Sequence, residues 1–423
     1  MSKTPNTPRG TYDALPEQSR RFNFIEQTAR KIFETYGFGE IRTPVFEHAE
    51  VFLRTVGDTT DIVCKEMYIF PDRNDEKMAL RPEGTAPVAR AYYSNGLKQH
   101  LPLRLAYYGA PMFRYERPQK GRYRQFHQLG MELFGISGPL ADVEVIAAAI
   151  DMLTNIGLKQ KLVVHLNSLG TKEDRANHRK KLLAYFEPVK DKLSYESQQR
   201  LDKNPMRILD SKEPEDQPFI KDAPMPVDNL CAESAEHFET VKKGLDKLGI
   251  SYEVIPNIVR GLDYYTHTVF EVHGEGLGAQ SQVIGGGRYD GLLEQLGGEY
   301  VPAVGFGCGM ERLESIMPEL AEKNIDITCI AGNDEALSEV ILPLAHQLRL
   351  ANISVYMPTE TPVASFKSQF KKLNKYKPQF AIIAGEEELS AGTVQLKDLQ
   401  KSEQVTLKVE DVLEHLKRCG LGA

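Results

Sequence analysis

The stretch from Arg114 to Glu132 constrains the chain more than any other, because its second half alternates strictly. Gln125, His127, Leu129 and Met131 fall on one face, and Phe126, Gln128, Gly130 and Glu132 fall on the other. Period two over eight residues is a strand. Ahead of it lie five basic side chains and one acid, Glu116, around a centre, Pro118 to Gly121, that reads as a turn. The expected element is a basic hairpin leading into a strand that carries an aromatic ring, an amide and a carboxylate on one side. Such a face can stack a base, contact phosphate from the loop and hold an ammonium or imidazole at its far end. The same residues would also serve as an ordinary solvated hairpin with its charges on the exposed edge.

A chain of 423 residues is long enough for two or three domains, each with its own core. Its longest dense apolar run, Val145 to Ile150, is six residues, so a membrane span is not expected. The polar, proline-rich start, Met1 to Gly10, has no signal-like apolar centre. Five scattered cysteines form neither a disulfide framework nor zinc-site spacing, which suits the cytoplasm. A net charge of −7 argues against indiscriminate nucleic-acid binding but leaves room for local basic tracks. There are two, the opening stretch and Ser365 to Pro378 with five lysines and no acid.

Phe22, Ile25, Ala29, Ile32, Phe33 and Tyr36 mark an amphipathic helix ending at Gly37. A strand is expected from Glu40 to Phe46, with Pro44 confining it to an edge, a bulge or an interface; pairing across a two-fold axis would make the chain a dimer. Met78 to Arg81 predicts a strand that breaks at Pro82-Glu83-Gly84-Thr85 before a helix, a corner where Glu83 and Thr85 either point into a cleft or serve the helix alone, Thr85 as its cap and Glu83 as a first-turn charge. Strands at Leu105 to Phe113, Phe126 to Phe134 and Leu162 to Asn167, with a helix through Val143 to Leu153, make a largely antiparallel α+β layer. Helices then dominate: Thr171 to Phe186, Lys190 to Asp202 and Ala232 to Leu248, with five prolines between 204 and 227. Strands resume near Ser251 and continue through Thr268 to Val272 and Ser281 to Ile284, either side of a turn holding Gly274, Gly276 and Gly278. Gly285-Gly-Gly-Arg-Tyr-Asp290 would precede a helix capped by Asp290. The expected division is a sheet domain over 1–170, a helical insertion over 171–253, the sheet domain again over 254–325, and a separate α/β domain over 326–423. In that last domain helices are expected at Glu335 to Leu350, Val363 to Tyr376 and Asp411 to Lys417, between five strands.

Gly305, Gly307 and Gly309 follow a strand and precede a helix, but a dinucleotide fingerprint wants glycine where Met310 stands, and no Walker A loop exists. Arg312 lies in the first turn of the following helix, where a cation is unfavourable unless an anion stands in front of it. A charge-assisted hydrogen bond there contributes roughly 1.5–3 kcal/mol. Arg114, Arg122, Arg260 and Arg312 are thus spread over glycine-dense strands, and Arg260 opens Arg-Gly-Leu-Asp-Tyr-Tyr265.

Leu80-Arg-Pro-Glu-Gly-Thr85, Arg114-Tyr-Glu-Arg117 with Phe126-His-Gln-Leu-Gly130, Arg260 to Tyr265, Gly285 to Asp290 and Gly305 to Arg312 together resemble histidyl-tRNA synthetases, a class II aminoacyl-tRNA synthetase family. The resemblance spans nearly the whole chain. It implies an antiparallel catalytic sheet, a dimer formed through the Tyr36 to Pro44 region, an insertion gripping the tRNA acceptor arm and a C-terminal anticodon-binding domain. It implies that Arg114 and Arg260 clamp the α-phosphate of ATP, with Glu116, Arg122, Phe126 and Arg312 also at the nucleotide, Phe126 against adenine. Histidine would be held by Glu83, Thr85 and Gln128 at its ammonium and by Glu132 with Tyr265 at its imidazole, with Tyr289 closing the pocket and Gly84 and Tyr264 also among the histidine-binding residues. Arg117, Gln119 and Lys120 would meet the acceptor end of tRNA(His). Mg2+ is the expected partner of pyrophosphate, in unknown number. Fixed cations are what an in-line attack of one anion on another requires, and a carboxylate with a phenol matches the one donor and one acceptor of neutral imidazole. Two other readings fit less of the chain. A synthetase-like regulatory subunit of histidine biosynthesis would lack the C-terminal domain and the Arg260 and tyrosine set. A non-catalytic nucleic-acid-binding module would leave Glu83, Gln128 and Glu132 without a task.

Overall fold

The computed structural model of the chain describes residues 5–57, 60, 62–119, 121–158, 162–259, 262–274, 282–322 and 324–422, the side chains of 372–374 apart. Arg260, Gly261, Lys120, Gly276 and Gly278 lie outside the described residues. The chain divides into two compact units, 1–319 and 320–423.

The first unit opens with helix α1 (Pro16–Thr35), which buries Phe22, Ile25, Ala29 and Phe33 on one stripe. Strands β1 (Gly39–Glu40) and β2 (Phe46–His48), helix α2 (Ala49–Thr55), strands β3 (Ile69–Pro71) and β4 (Lys77–Leu80), and helix α3 (Thr85–Ser94) follow. Next come β5 (Leu103–Phe113), β6 (Gln125–Phe134), α4 (Pro139–Asn155) and β7 (Leu162–Ser168). Helices α5 (Lys172–Phe186), α6 (Tyr195–Lys203), α7 (Gln217–Ile220) and α8 (Ala232–Lys247) then lead to β8 (Tyr252–Val254) and β9 (Thr266–Gly274). Strands β10 (Gln282–Arg288) and β11 (Ala303–Gly309) flank α9 (Leu292–Gln295), and α10 (Met310–Ile316) completes the unit.

Eight of these strands form one sheet in the order β1-β5-β6-β11-β10-β9-β7-β8. Its pairs are antiparallel except β1 with β5 and β7 with β8, so the α+β expectation holds. Strands β2, β4 and β3 make a second, small sheet.

Several local expectations are corrected. The single strand from Glu40 to Phe46 is two strands in different sheets, β1 and β2, because the chain at Pro44 cannot continue a ladder. The strand expected to end at Ile284 runs on through the glycines 285–287 to Arg288 as β10. Gly286 is glycine for a steric reason: a Cβ there would meet Gly305 O at 2.6 Å and Phe306 Cβ at 2.6 Å. Asp290 caps no helix. Its Oδ1 accepts from Arg288 Nη1 (3.1 Å) and from the Ala303 amide (3.0 Å), while α9 starts after Gly291. Lys190 to Asp202 is two pieces, since Ser194 caps α6 through the Ser197 amide. The helix expected from Thr171 starts at Lys172, with Thr171 as its cap in a reciprocal box with Asp174.

The second unit builds a sheet from β12 (Ile327–Ala331), β13 (Val355–Tyr356), β14 (Phe380–Ala384), β15 (Thr393–Asp398) and β16 (Glu403–Lys408), in the order β13-β12-β14-β15-β16. The first three run parallel and the last two antiparallel. Its helices are α11 (Asp334–Ala336), α12 (Leu342–Leu350), α13 (Phe366–Tyr376), α14 (Glu386–Ala391) and α15 (Val412–Arg418). The one long helix expected over 335–350 is broken by a π-turn at Leu337–Ile341, where Pro343 withholds an amide donor. Helix α13 begins at Phe366, three residues later than expected, and α14 was not foreseen.

Candidate active site

The site begins with register. Across the large sheet one row reads Tyr107, Gly130, Gly307, Gly285 and Glu271 on β5, β6, β11, β10 and β9. The next reads Leu105, Glu132, Gly305 and Gly287, and pairs on to Val269. Three adjacent strands thus present bare backbone on one face, leaving a trough between Tyr107 and Glu271. The opposite face carries Met131, Phe306 and Phe270, all fully buried. The glycines therefore clear floor space rather than wrap a phosphate.

Above this floor lies a cavity of about 790 Å³. Glu83, Thr85, Arg114, Glu116, Arg122, Phe126, Gln128, Tyr264, Tyr265 and Arg312 all line it. Glu132 and Tyr289 are not on its wall; they sit behind it, bonded to each other. Gly84 is buried at the N-terminus of α3 and is also absent from the wall, with a Cβ there meeting the Tyr107 ring at 2.4 Å. Arg117 and Gln119 are exposed on the hairpin outside the cavity, where Gln119 bridges Arg122.

The capping arrangement reverses expectation. Glu83, not Thr85, closes the N-terminus of α3: its carboxylate accepts from the amides of Thr85 (2.7 Å) and Ala86 (2.8 Å). Burial raises its pKa while those two amides oppose the shift. Thr85 is freed to donate its hydroxyl to Glu132 Oε1 at 2.7 Å. Tyr289 donates to the other oxygen, and burial outweighs both bonds, pushing the Glu132 carboxyl up to about 8. Tyr264 lies against both Tyr265 (4.6 Å between centroids) and Tyr289 (5.5 Å), continuing the aromatic wall.

The cations occupy the other end. Arg114 Nε donates to Pro82 O at 2.8 Å, and its guanidinium lies 5.3 Å from the Phe126 ring centroid. Glu116 stands 3.9 Å from Arg114 Nη1 and 3.3 Å from Arg122 Nη1. Arg312 Nη1 donates to Gln282 O at 2.6 Å and Nε to Gly121 O at 3.3 Å. Burial, and then Arg122, lower its pKa. Arg114, Arg122 and Arg312 therefore converge on one cavity, held apart from one another by carbonyls and one acid. Three guanidinium groups facing one cavity are chemistry suited to a polyanion, and beside them lie carboxylates and phenols.

Some wall residues were not singled out by sequence. Tyr107 and Glu271 bound the trough, and Arg207, Ser211 and Lys212 approach from the helical segment between β7 and β8. Only Glu271 left a trace, as an acid between the apolar Phe270 and Val272.

Residues 10–313 match the family described as histidyl-tRNA synthetase, and residues 324–418 match the anticodon binding domain. The chain is 46% identical over 412 residues to a histidine--tRNA ligase of Rhodospirillum rubrum, covering 97% of this chain and 98% of that one. It is 45% identical over 421 residues to that of Bacillus subtilis, covering 97% and 98%. Among solved structures it is similar to apo histidyl-tRNA synthetase from S. aureus, with a TM-score of 0.81 at 34% identity, covering 97% of this chain and 99% of the other.

Proposed function

The chain belongs to the histidyl-tRNA synthetase family and is an aminoacyl-tRNA ligase that activates histidine with ATP and passes it to tRNA(His), and we propose a division of that work among its residues. The carrying observation is the single cavity that holds Arg114, Arg122 and Arg312 at one end and Glu83, Thr85 and Gln128 at the other. In the reading it supports, ATP lies along the cationic end with adenine on Phe126, the α-phosphate at Arg114 and Arg260, and Arg312 at the adenine or γ-phosphate. Arg122 and Glu116 complete that end. Glu83, Thr85 and Gln128 hold the histidine ammonium, with Gly84 keeping the corner narrow. Tyr264 and Tyr265 face the imidazole, and Glu132 acts from behind through Thr85 and Tyr289. Fixed guanidinium groups offset charge that builds on the α-phosphate as the histidine carboxylate attacks, without reorganisation during the step.

Mg2+ fits this wall in a limited way. Among the described residues no cluster of three or more acidic, histidine or cysteine ligands exists, but Glu116 and Glu271 both face the cavity. One or two carboxylates plus substrate phosphates is the usual Mg2+ environment, so these two would hold it, and the ion would neutralise phosphate charge.

Arg117, Gln119 and Lys120 on the hairpin would meet the acceptor end of the tRNA, and the 326–423 domain its anticodon. The chain would act as a homodimer through the Tyr36 to Pro44 region. Exposed Phe46 (56%), Ile69 (46%) and Phe70 (40%) on the neighbouring small sheet support an apolar interface there. Five scattered cysteines with neither a disulfide framework nor zinc-site spacing suit the cytoplasm, and no described helix is long and apolar enough to cross a membrane. A binding-only regulatory subunit is not favoured, given full-length ligase relatives at this identity.

The test is histidine-dependent exchange of labelled pyrophosphate into ATP. Arg260→Ala should reduce it by orders of magnitude, roughly a hundredfold or more, while histidine binding stays nearly intact. Equal losses in exchange and binding would make Arg260 a structural residue instead.

A further inference from the structure

Arg81 is 4% exposed, and among the described residues no carboxylate pairs with it. Its side chain spends its donors on three backbone carbonyls and one hydroxyl: Nε to Pro111 O (2.8 Å) and Nη1 to Thr43 O (2.9 Å), Thr43 Oγ1 (3.0 Å) and Pro44 O (3.3 Å). A guanidinium buried against neutral oxygens alone is a costly way to fill space, since an apolar side chain of similar volume needs no desolvation. Burial accordingly lowers its pKa. The arrangement makes sense if the planar fork is needed to fix two separate segments at once, which no other side chain does.

The main chain shows what is being fixed. The Arg81 amide donates to Val45 O at 3.0 Å, and its carbonyl accepts from the Phe113 amide at 2.9 Å. The next carbonyl, Pro82 O, accepts Arg114 Nε at 2.8 Å. Pro82 has no amide to anchor it, so the direction of its carbonyl is set by what holds Arg81. We propose that Arg81 is a positioning residue for adenylation, aiming the Arg114 guanidinium through the Pro82 carbonyl and tying that aim to residues 43–45. This rests on the reading of Arg114 as a phosphate-binding residue. It adds a residue that touches no substrate, and it makes residues 43–45 a lever on the chemistry.

The experiment is a double-mutant cycle in pyrophosphate exchange with Arg81→Lys, Arg114→Ala and the pair. Arg81→Lys keeps the charge and loses the fork, so kcat should fall about tenfold or more with KM for histidine changed less than about twofold. In the Arg114→Ala background the same change should cost less than about twofold, because there is nothing left to aim. Losses that multiply overturn the inference, as does a shift in KM for histidine as large as the loss in kcat. Thermal melting and histidine binding report whether Arg81→Lys folds. If it does not, Thr43→Val removes only one contact of the fork, and its smaller loss, about two- to fivefold, must likewise vanish without Arg114. If Arg114→Ala alone leaves exchange unchanged, the phosphate role of Arg114 is what fails, an outcome distinct from additivity.

Discussion

Tyr289 donates its hydroxyl to Glu132 across 157 positions of sequence, while Thr85 takes the carboxylate's other oxygen. An acid with both oxygens engaged and no exposure is not free to bind a ligand on its own terms. It sets the rear of the pocket, and a ligand reaches it only by exchanging one of those partners or by way of them.

The pH dependence of stability follows from this burial. Desolvation raises the Glu132 carboxyl from 4.5 to about 8, against the pull of Tyr289 and Thr85. The folded chain then binds a proton that the unfolded chain releases, so this group's contribution is present at low pH and is lost as pH rises through about 8. Denaturant melts of the wild type should weaken across that window, and Glu132→Gln should flatten the decline. A Gln variant with an undiminished slope would show that other groups cause it.

Gly305→Ala tests the trough. A Cβ at 305 would lie 2.0 Å from Glu132 Oε2 and 2.4 Å from Met131 O, and the second is backbone of a paired strand. Overpacking of this kind costs about 1–3 kcal/mol, and pyrophosphate exchange should drop with it as Glu132 is displaced. A neutral substitution would mean that β6 and β11 separate more easily than their ladder suggests.

Asp216 organises the helical segment between β7 and β8. Fully buried, it accepts from the Ser194 amide and hydroxyl, both at 2.8 Å, from Ser197 Oγ (2.6 Å) and from Ser211 Oγ (2.5 Å). Asp216→Ala leaves buried donors unmatched and should cost about 2–4 kcal/mol locally. Faster amide exchange over 194–216, with the large sheet still protected, is the expected signature. Uniform protection would sink the idea.

The 320–423 unit carries its own buried cluster, from Ile327 to Leu416. Removing 326–423 should therefore reduce tRNA charging far more than adenylation, measured as charging against pyrophosphate exchange on the same preparation. Collapse of both would join the two units energetically.

Legibility in the sequence followed periodicity. Helix α1 announces itself because its buried residues recur at helical spacing, strands β6 and β7 because their residue types alternate although burial gathers in their second halves, and the basic hairpin contributes Arg114 and Arg122 to the cavity. The three glycines of β10 carry no side-chain pattern, so the strand was expected to stop at Ile284 although it continues to Arg288. Asp290 resembled a cap only because its actual partners, Arg288 and Ala303, are visible in space and not in spacing. Thr85 and Glu83 exchanged roles for a similar reason: either can cap a helix, and Glu132, 47 positions on, decides which is released. The wall contributed by Arg207, Ser211 and Lys212 comes from a segment whose prolines hide any period.

Strand β8 lies parallel to β7, with Val164 opposite Tyr252 and Leu166 opposite Val254. Two neighbours pointing the same way cannot be joined by a tight hairpin, since the chain must travel back along the sheet before re-entering it. The helices from α5 to α8 make that return trip. They are therefore a required bridge and not an ornament at a loop tip. A variant shortened to a few linking residues would forfeit the edge strand as well.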